Sequence, residues 1–132
     1  FGAQKGDELL RGVYECIKGG LTEGELPLTN GVWASRSRYR SNVYALVKVD
    51  VTPFSRVEAI IYGSYGSSGS YLQVLPQSPA VSTSYEKRLA GTSSSEVIAM
   101  DLSDTVGEKY VGAYGGSSSS AYHTYLKELC FY

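Results

Sequence analysis

The 132-residue chain predicts an all-β fold of antiparallel strands, arranged as a sandwich or a barrel. Three observations carry that expectation. Short runs rich in Val, Ile, Leu, Tyr and Phe are parted by gaps rich in Gly, Ser, Asp and Pro. The clearest runs alternate apolar and polar residues, which is the period of a strand. No long helical period with caps at both ends occurs, and no internal repeat of fixed period.

The pattern is densest from residue 95 to residue 132. There SEVIAMDLSDTVGEKYVGAYGGSSSSAYHTYLKELCFY holds apolar runs at 97–102, 110–114 and 121–132, parted by SDTVGE and GGSSSS. These read as consecutive strands joined by loops. The last run reaches Tyr132 without a polar tail, so its end is expected to dock inside a sheet. Within it Leu126 has one parity and Leu129 and Phe131 the other. Both sets can be buried only if an extra residue sits at Lys127-Glu128, which predicts a β-bulge there.

Taken in order, FGAQKGDE at 1–8 is a loose lead-in. LLRGVYECIK at 9–18 is a strand or a short helix: Leu9, Leu10, Val13 and Ile17 fit helical spacing, while Gly12 and the surroundings favour a strand. Residues 19–31, with four glycines, a proline and an Asn-Gly, read as a loop. Residues 32–39 form a short strand carrying Trp33 and the start of an arginine stripe at Arg36, Arg38 and Arg40. Residues 43–51 are the clearest strand, with Ala45, Val47, Val49 and Val51 on a core face. Tyr44, Leu46, Lys48 and Asp50 then form a half-wet face. Thr52-Pro53-Phe54-Ser55 turns the chain, because proline cannot continue a central strand.

Residues 57–65 follow, with Val57, Ala59 and Ile61 on one face. GSSG at 66–69 links them to a strand at 71–75, which reads as a hairpin. Residues 76–84 are a surface loop. Residues 85–89 are an edge strand, blunted against aggregation by Glu86, Lys87 and Arg88.

Length and composition bound the rest. The chain is one domain, residues 1–132, and can bury a core without a staple. A net charge of −1 argues against a general nucleic-acid or membrane-surface binder. No apolar run is long enough to insert into a membrane. The start at Phe1 rather than Met reads as a fragment or a processed product. The alternating arginines share one strand face, either as a solvated stripe or as a grip for a carboxylate or phosphate. Cys16 and Cys130 lie near opposite ends of the chain; they are neighbours if the terminal strands pair, and otherwise two buried thiols.

Two stretches carry a resemblance. VKVDVTPFSRVEAIIYGS, residues 47–64, resembles a strand–turn–strand of carbohydrate-binding-module-like jelly rolls, in which Asp-Val-Thr ends one strand and an aromatic sits in the turn. IAMDLSDTVGEKYVGAYGGSSSS with YLKELCFY resembles their closing half: Asp-Leu-Ser, a Gly, a Tyr-Val-Gly strand, a Gly/Ser loop and a bulged final strand. The likeness covers residues 43–132. Such modules recur in bacteriophage tail, fibre and baseplate proteins and in polysaccharide-active proteins. The resemblance implies an antiparallel jelly-roll β-sandwich and a binding module on a virion or outside a cell. The partners it implies are a glycan or other cell-surface receptor, other tail subunits, and copies of itself. The first forty residues fall outside it, which leaves room for a different N-terminal hairpin or a partner-facing segment.

Enzyme readings do poorly. His123 is the only histidine, no serine sits in a GxSxG elbow, and no phosphate-cradling glycine motif is present. Asp50, Asp101, Asp104, Glu108 and Glu128 are the carboxylates a glycosidase or a Ca²⁺ site would draw on. Without a DxDxDG run the Ca²⁺ signal is weak, and Asp50 and Asp101 are better placed to accept backbone N–H bonds in the turns that follow them.

What remains is binding. Tyr62, Tyr65 and Tyr71 bracket GSSG, and Tyr110, Tyr114, Tyr122 and Tyr125 bracket GGSSSS. If both loops lie at one end, these tyrosines line a shared surface that offers rings to sugar C–H groups and hydroxyls to sugar hydroxyls. The plainer alternative is that they fill cross-strand pairs. The candidate ligand-binding residues are Tyr65, Tyr71, Tyr114 and Tyr122, with Trp33 and Arg38 outside the cluster. Trp33 fits a core anchor as well as an exposed platform. The function expected is non-catalytic glycan recognition in a phage tail or fibre protein. The alternatives are a structural tail domain that oligomerises without ligand, and an accessory module of a polysaccharide-active enzyme.

Overall fold

The structure, a computed structural model, describes residues 13–17, 20–24, 33–36, 41–67, 70–79, 81–117 and 123–132. Ten strands run through them: β1 (Val13–Ile17), β2 (Gly20–Gly24), β3 (Trp33–Arg36), β4 (Ser41–Asp50), β5 (Arg56–Ser67), β6 (Ser70–Leu75), β7 (Lys87–Ala90), β8 (Val97–Asp101), β9 (Glu108–Ser117) and β10 (His123–Phe131). They form two antiparallel sheets. One has six strands in the order β2-β1-β4-β9-β6-β7, the other four in the order β3-β10-β5-β8. The all-β sandwich is as the alternation predicts.

The core lies between the sheets and draws on the inward parity of each strand. Ala45, Val47 and Val49, Leu72 and Val74, and Val111 and Ala113 come from the larger sheet. Val57, Ala59 and Ile61, Met100, and Leu126, Leu129 and Phe131 come from the smaller one. Phe54, in the turn after β4, packs its ring 5.3 Å from that of Phe131. Each Val, Leu, Ile, Met or Phe among them adds roughly 1.5–3 kcal/mol on leaving water.

The register of β10 against β5 slips between Leu126 and Glu128: Leu126 opposes Ile61 and Glu128 opposes Ile60. Lys127 is therefore the extra residue, and Leu126, Leu129 and Phe131 are all buried. Parity required this bulge, and it is there.

Two expectations are corrected. Residues 19–31 are not all loop, because β2 pairs with β1 from Ile17 opposite Gly20 outward, adding a hairpin to the edge of the larger sheet. β5 and β6 are not a hairpin: β5 belongs to the smaller sheet and β6 to the larger, so the chain changes sheets between Ser67 and Ser70. A Gly/Ser link permits either geometry, and the local sequence does not choose. The outer face of β4 is half wet, as expected. Tyr44 and Leu46 are buried with Leu75 in a second apolar cluster, while Lys48 and Asp50 are exposed.

The strands that carry the two cysteines, β1 and β10, do not pair. Cys16 lies on β1 of one sheet and Cys130 on β10 of the other. The lead-in 1–8 lies outside the described residues.

The two ends of the sandwich differ. At one end the β5–β6 and β9–β10 connections both cross between layers, with Ser70 opposite Gly115 and Thr124 opposite Gly63. A buried hydroxyl pair, Ser70 to Thr124 at 2.9 Å, ties the sheets there. At the other end Val51 N–H donates to the Gly107 carbonyl, and Gly107 N–H donates to the Thr52 hydroxyl. Gly107 has φ of 91°, a left-handed conformation that glycine takes without a steric penalty.

Candidate functional site

The outer face of the larger sheet gathers a cluster of tyrosines. Cross-strand register sets Tyr44, Tyr114 and Tyr71 in one row across β4, β9 and β6. The next row is Leu46, Gly112, Gln73 and Arg88, reaching the edge strand β7. A third holds Lys48, Tyr110 and Leu75. Even parity on β4 and β9 and odd parity on β6 point these residues away from the core, because Ala45, Val111 and Leu72 take the inward positions.

Gly112 sits at the centre. A Cβ there would land on the Ala45 carbonyl, so only glycine lets β9 approach β4 this closely. Around it the rings of Tyr44 and Tyr114 lie 5.0 Å apart, and those of Tyr71 and Tyr114 6.0 Å apart. The Arg88 guanidinium stands 3.5 Å over the Tyr71 ring, 5.0 Å from that of Tyr85 and 5.5 Å from that of Tyr114. Arg88 Nη1 also donates to the Tyr85 hydroxyl at 3.3 Å. Tyr44 is buried, Tyr71 and Tyr114 are half-buried, and Arg88 and Tyr85 are exposed. The cluster thus runs from the sheet's interior to solvent at its edge.

Burial pushes the Tyr114 hydroxyl above its ordinary pKa; the charge of Arg88 opposes this and Tyr71 adds to it. Tyr114 is therefore a neutral donor and acceptor at neutral pH. In the next row the Gln73 side chain is 2% exposed, and its Oε1 has no hydrogen-bond partner. A buried acceptor left unpaired is costly, and such atoms are uncommon.

Of the residues picked out by sequence, the structure brings Tyr71 and Tyr114 together as direct cross-strand partners. Tyr65 lies on β5 of the smaller sheet, and Trp33 on β3, opposite Leu126 at that sheet's edge. Tyr122 and Arg38 lie outside the described residues. The described tyrosines that bracket the two loops do not all line one surface. Each Gly/Ser segment joins strands of different sheets, so among the described residues Tyr62 and Tyr125 lie on the smaller sheet and Tyr71, Tyr110 and Tyr114 on the larger. Tyr62 and Tyr125 stack on the smaller sheet at 4.9 Å, with their rings 18° from parallel.

Sequence reasoning missed Arg88, Tyr85, Gln73 and Tyr44. Arg88 was expected only to blunt an edge. The signal that finds it is parity: Arg88 opposes Gln73, and Gln73 shares the parity of Tyr71.

The carboxylates are otherwise engaged. Asp50 Oδ1 accepts the Thr52 N–H at 3.0 Å, and bonds from the Thr52 side chain and backbone hold its carboxyl below the ordinary range. Asp101 accepts the Ser103 N–H at 3.2 Å and the Ser103 hydroxyl at 2.8 Å. Both cap the turns that follow them, as their positions predict. Asp104 pairs with Lys87, and Lys87 followed by Thr105 lowers its pKa. Among the described residues, no group of three or more His, Cys, Asp or Glu gathers as a metal ligand set.

The outer face of the smaller sheet holds a groove of about 90 Å³ lined by Glu58, Ile60, Glu128, Cys130 and Tyr132 among others. Small-molecule sites run to roughly 300–1,000 Å³. Arg56 bonds Glu58 at 2.8 Å and stacks 4.4 Å over the Tyr132 ring.

The chain matches no family model and no curated protein.

Proposed function

We propose that the domain is a jelly roll with an added N-terminal hairpin, and that it is a non-catalytic module recognising a cell-surface glycan. What supports the jelly-roll reading is strand order. With β1 and β2 set aside, β3-β10-β5-β8 and β4-β9-β6-β7 are the two four-strand orders of a doubly wound Greek key.

The observation that carries the glycan reading is the Tyr71–Tyr114–Arg88 cluster. It joins half-buried rings, hydroxyls and a guanidinium on a rigid sheet and opens to solvent at one edge. Aromatic rings with convergent polar groups are what a saccharide needs. A surface site of this kind is shallow, so attachment would draw on several copies. Placement on a phage tail or fibre, or elsewhere outside a cell, rests on the resemblance of residues 43–132 to such modules.

The test is a glycan array probed with the multimerised domain. Tyr71→Ala and Tyr114→Ala are expected to lose the hits, while Tyr62→Ala on the opposite face keeps them. Binding that survives both of the first two substitutions overturns the site, and an array without hits overturns the reading.

One observation favours a second reading, a structural domain that oligomerises without ligand. Val97 is 58% exposed on the edge strand β8, beside the groove. A light-scattering mass equal to a multimer that Val97→Asp dissolves, together with an array without hits, would favour it.

A further inference from the structure

Among the described residues the cations of the sandwich are largely neutralised. Lys48 pairs with Glu108 at 3.3 Å, Arg56 with Glu58 at 2.8 Å, Lys109 with Glu86 at 2.6 Å, and Lys87 with Asp104. Arg88 differs: it is stacked on Tyr71 and tethered to Tyr85, and no described carboxylate pairs with it. Glu86, two residues before it on the same edge, is held by Lys109. The guanidinium is therefore held in place with N–H donors to spare and no counter-charge among the described residues.

The same geometry weighs against a purely stacked neutral sugar. Arg88 stands 3.5 Å over one face of the Tyr71 ring, so a sugar cannot lie on that face without displacing it. The recognition group on offer there is the planar fork itself, which matches a carboxylate bidentately. Its row neighbour Gln73, with an unpaired Oε1, adds polar character on the inner side.

Building on the glycan reading, we infer that the ligand is an acidic saccharide whose carboxylate is gripped by Arg88, with Tyr85 and Tyr114 contacting the ring that bears it. The probe pair is a polyuronate and the same polymer with its carboxyls methyl-esterified. The wild-type domain is expected to bind the acid form at least about tenfold more tightly than the ester, the scale of a charge-assisted hydrogen bond. That preference should shrink as salt is raised. Arg88→Gln is expected to abolish the preference, and Arg88→Lys, which keeps the charge but not the fork, to restore only part of it. Arg88 is exposed on an edge strand, so a thermal melt should show both variants folded.

Equal binding to acid and ester, or a preference that survives in Arg88→Gln, overturns the inference and leaves the glycan reading standing. Loss of both polymers, together with a blank glycan array, overturns both.

Discussion

The two outer faces of this sandwich are built from the same materials and end in different states. Each carries a tyrosine pair, and each carries an arginine stacked on a tyrosine: Arg88 on Tyr71 and Arg56 on Tyr132. On the smaller sheet the charge is cancelled in place, because Glu58 lies two residues along β5 on the same face and bonds Arg56. Glu128 adds a further acid to the groove there. On the larger sheet the neighbouring acid, Glu86, is drawn off by Lys109. Stacking holds an arginine in place, but which acid lies within reach decides whether it is free to meet a ligand. The same alternation that buries one face of a strand deals out its charges on the other.

The comparison breaks most completely if the shared core goes. Phe131→Ala removes a fully buried ring packed on Phe54 beneath both sheets and is expected to destabilise by about 3–5 kcal/mol in chemical denaturation. A cost under about 1 kcal/mol would mean that this ring does not join the layers.

Gly112→Ala strikes only the larger sheet. The new Cβ meets the Ala45 carbonyl, which cannot swing aside as a side-chain tip would, so about 1–3 kcal/mol is expected. Hydrogen exchange should show faster opening at β4 and β9 than at β5 and β10. Uniform opening across both sheets would argue against a strain confined there.

Glu58→Gln sharpens the comparison from the other side. It frees Arg56 of its counter-charge while leaving the stack on Tyr132, at a stability cost below about 1 kcal/mol, since the pair is partly exposed. If an unpaired stacked arginine is what grips a carboxylate, this variant should gain weak binding of the polyuronate on the smaller sheet, measured in an Arg88→Gln background.

The smallest effect is spectroscopic. Tyr114 and Tyr132 both titrate above an ordinary tyrosine, Tyr114 chiefly through burial and Tyr132 chiefly through the charge of Cys130. Cys130→Ser should move Tyr132 back down and leave Tyr114 where it is, as followed by the ring-carbon NMR shifts against pH. A raised folded pKa means the native state holds its proton longer. Any stabilisation from Tyr114 is therefore present below the ordinary tyrosine range and lost as pH rises through the shifted value.

Much of this molecule is legible in its residues. Alternation at 43–51 and 57–61 marks the two central strands and the core face of each. The opposed parities of Leu126, Leu129 and Phe131 require the bulge at Lys127, because burial of both sets admits no other register. Asp50 and Asp101, each ahead of a turn with a hydroxyl residue two positions on, announce their capping role. All of these depend on forces that act within a strand or a turn.

Sheet membership is what the residues alone leave open. GSSG and GGSSSS fit hairpins as well as crossings, and the choice falls to which layer buries Leu72 or Leu126 best. That is a property of the whole core. From it follow the separation of Tyr71 and Tyr114 from Tyr62 and Tyr125, the pairing of Gln73 with Arg88, and the capture of Glu86 by Lys109. The strand period is written locally, because it is set by the backbone of each strand. The partners across a sheet are set by packing between residues far apart in the chain, so the tertiary structure alone assembles the cluster.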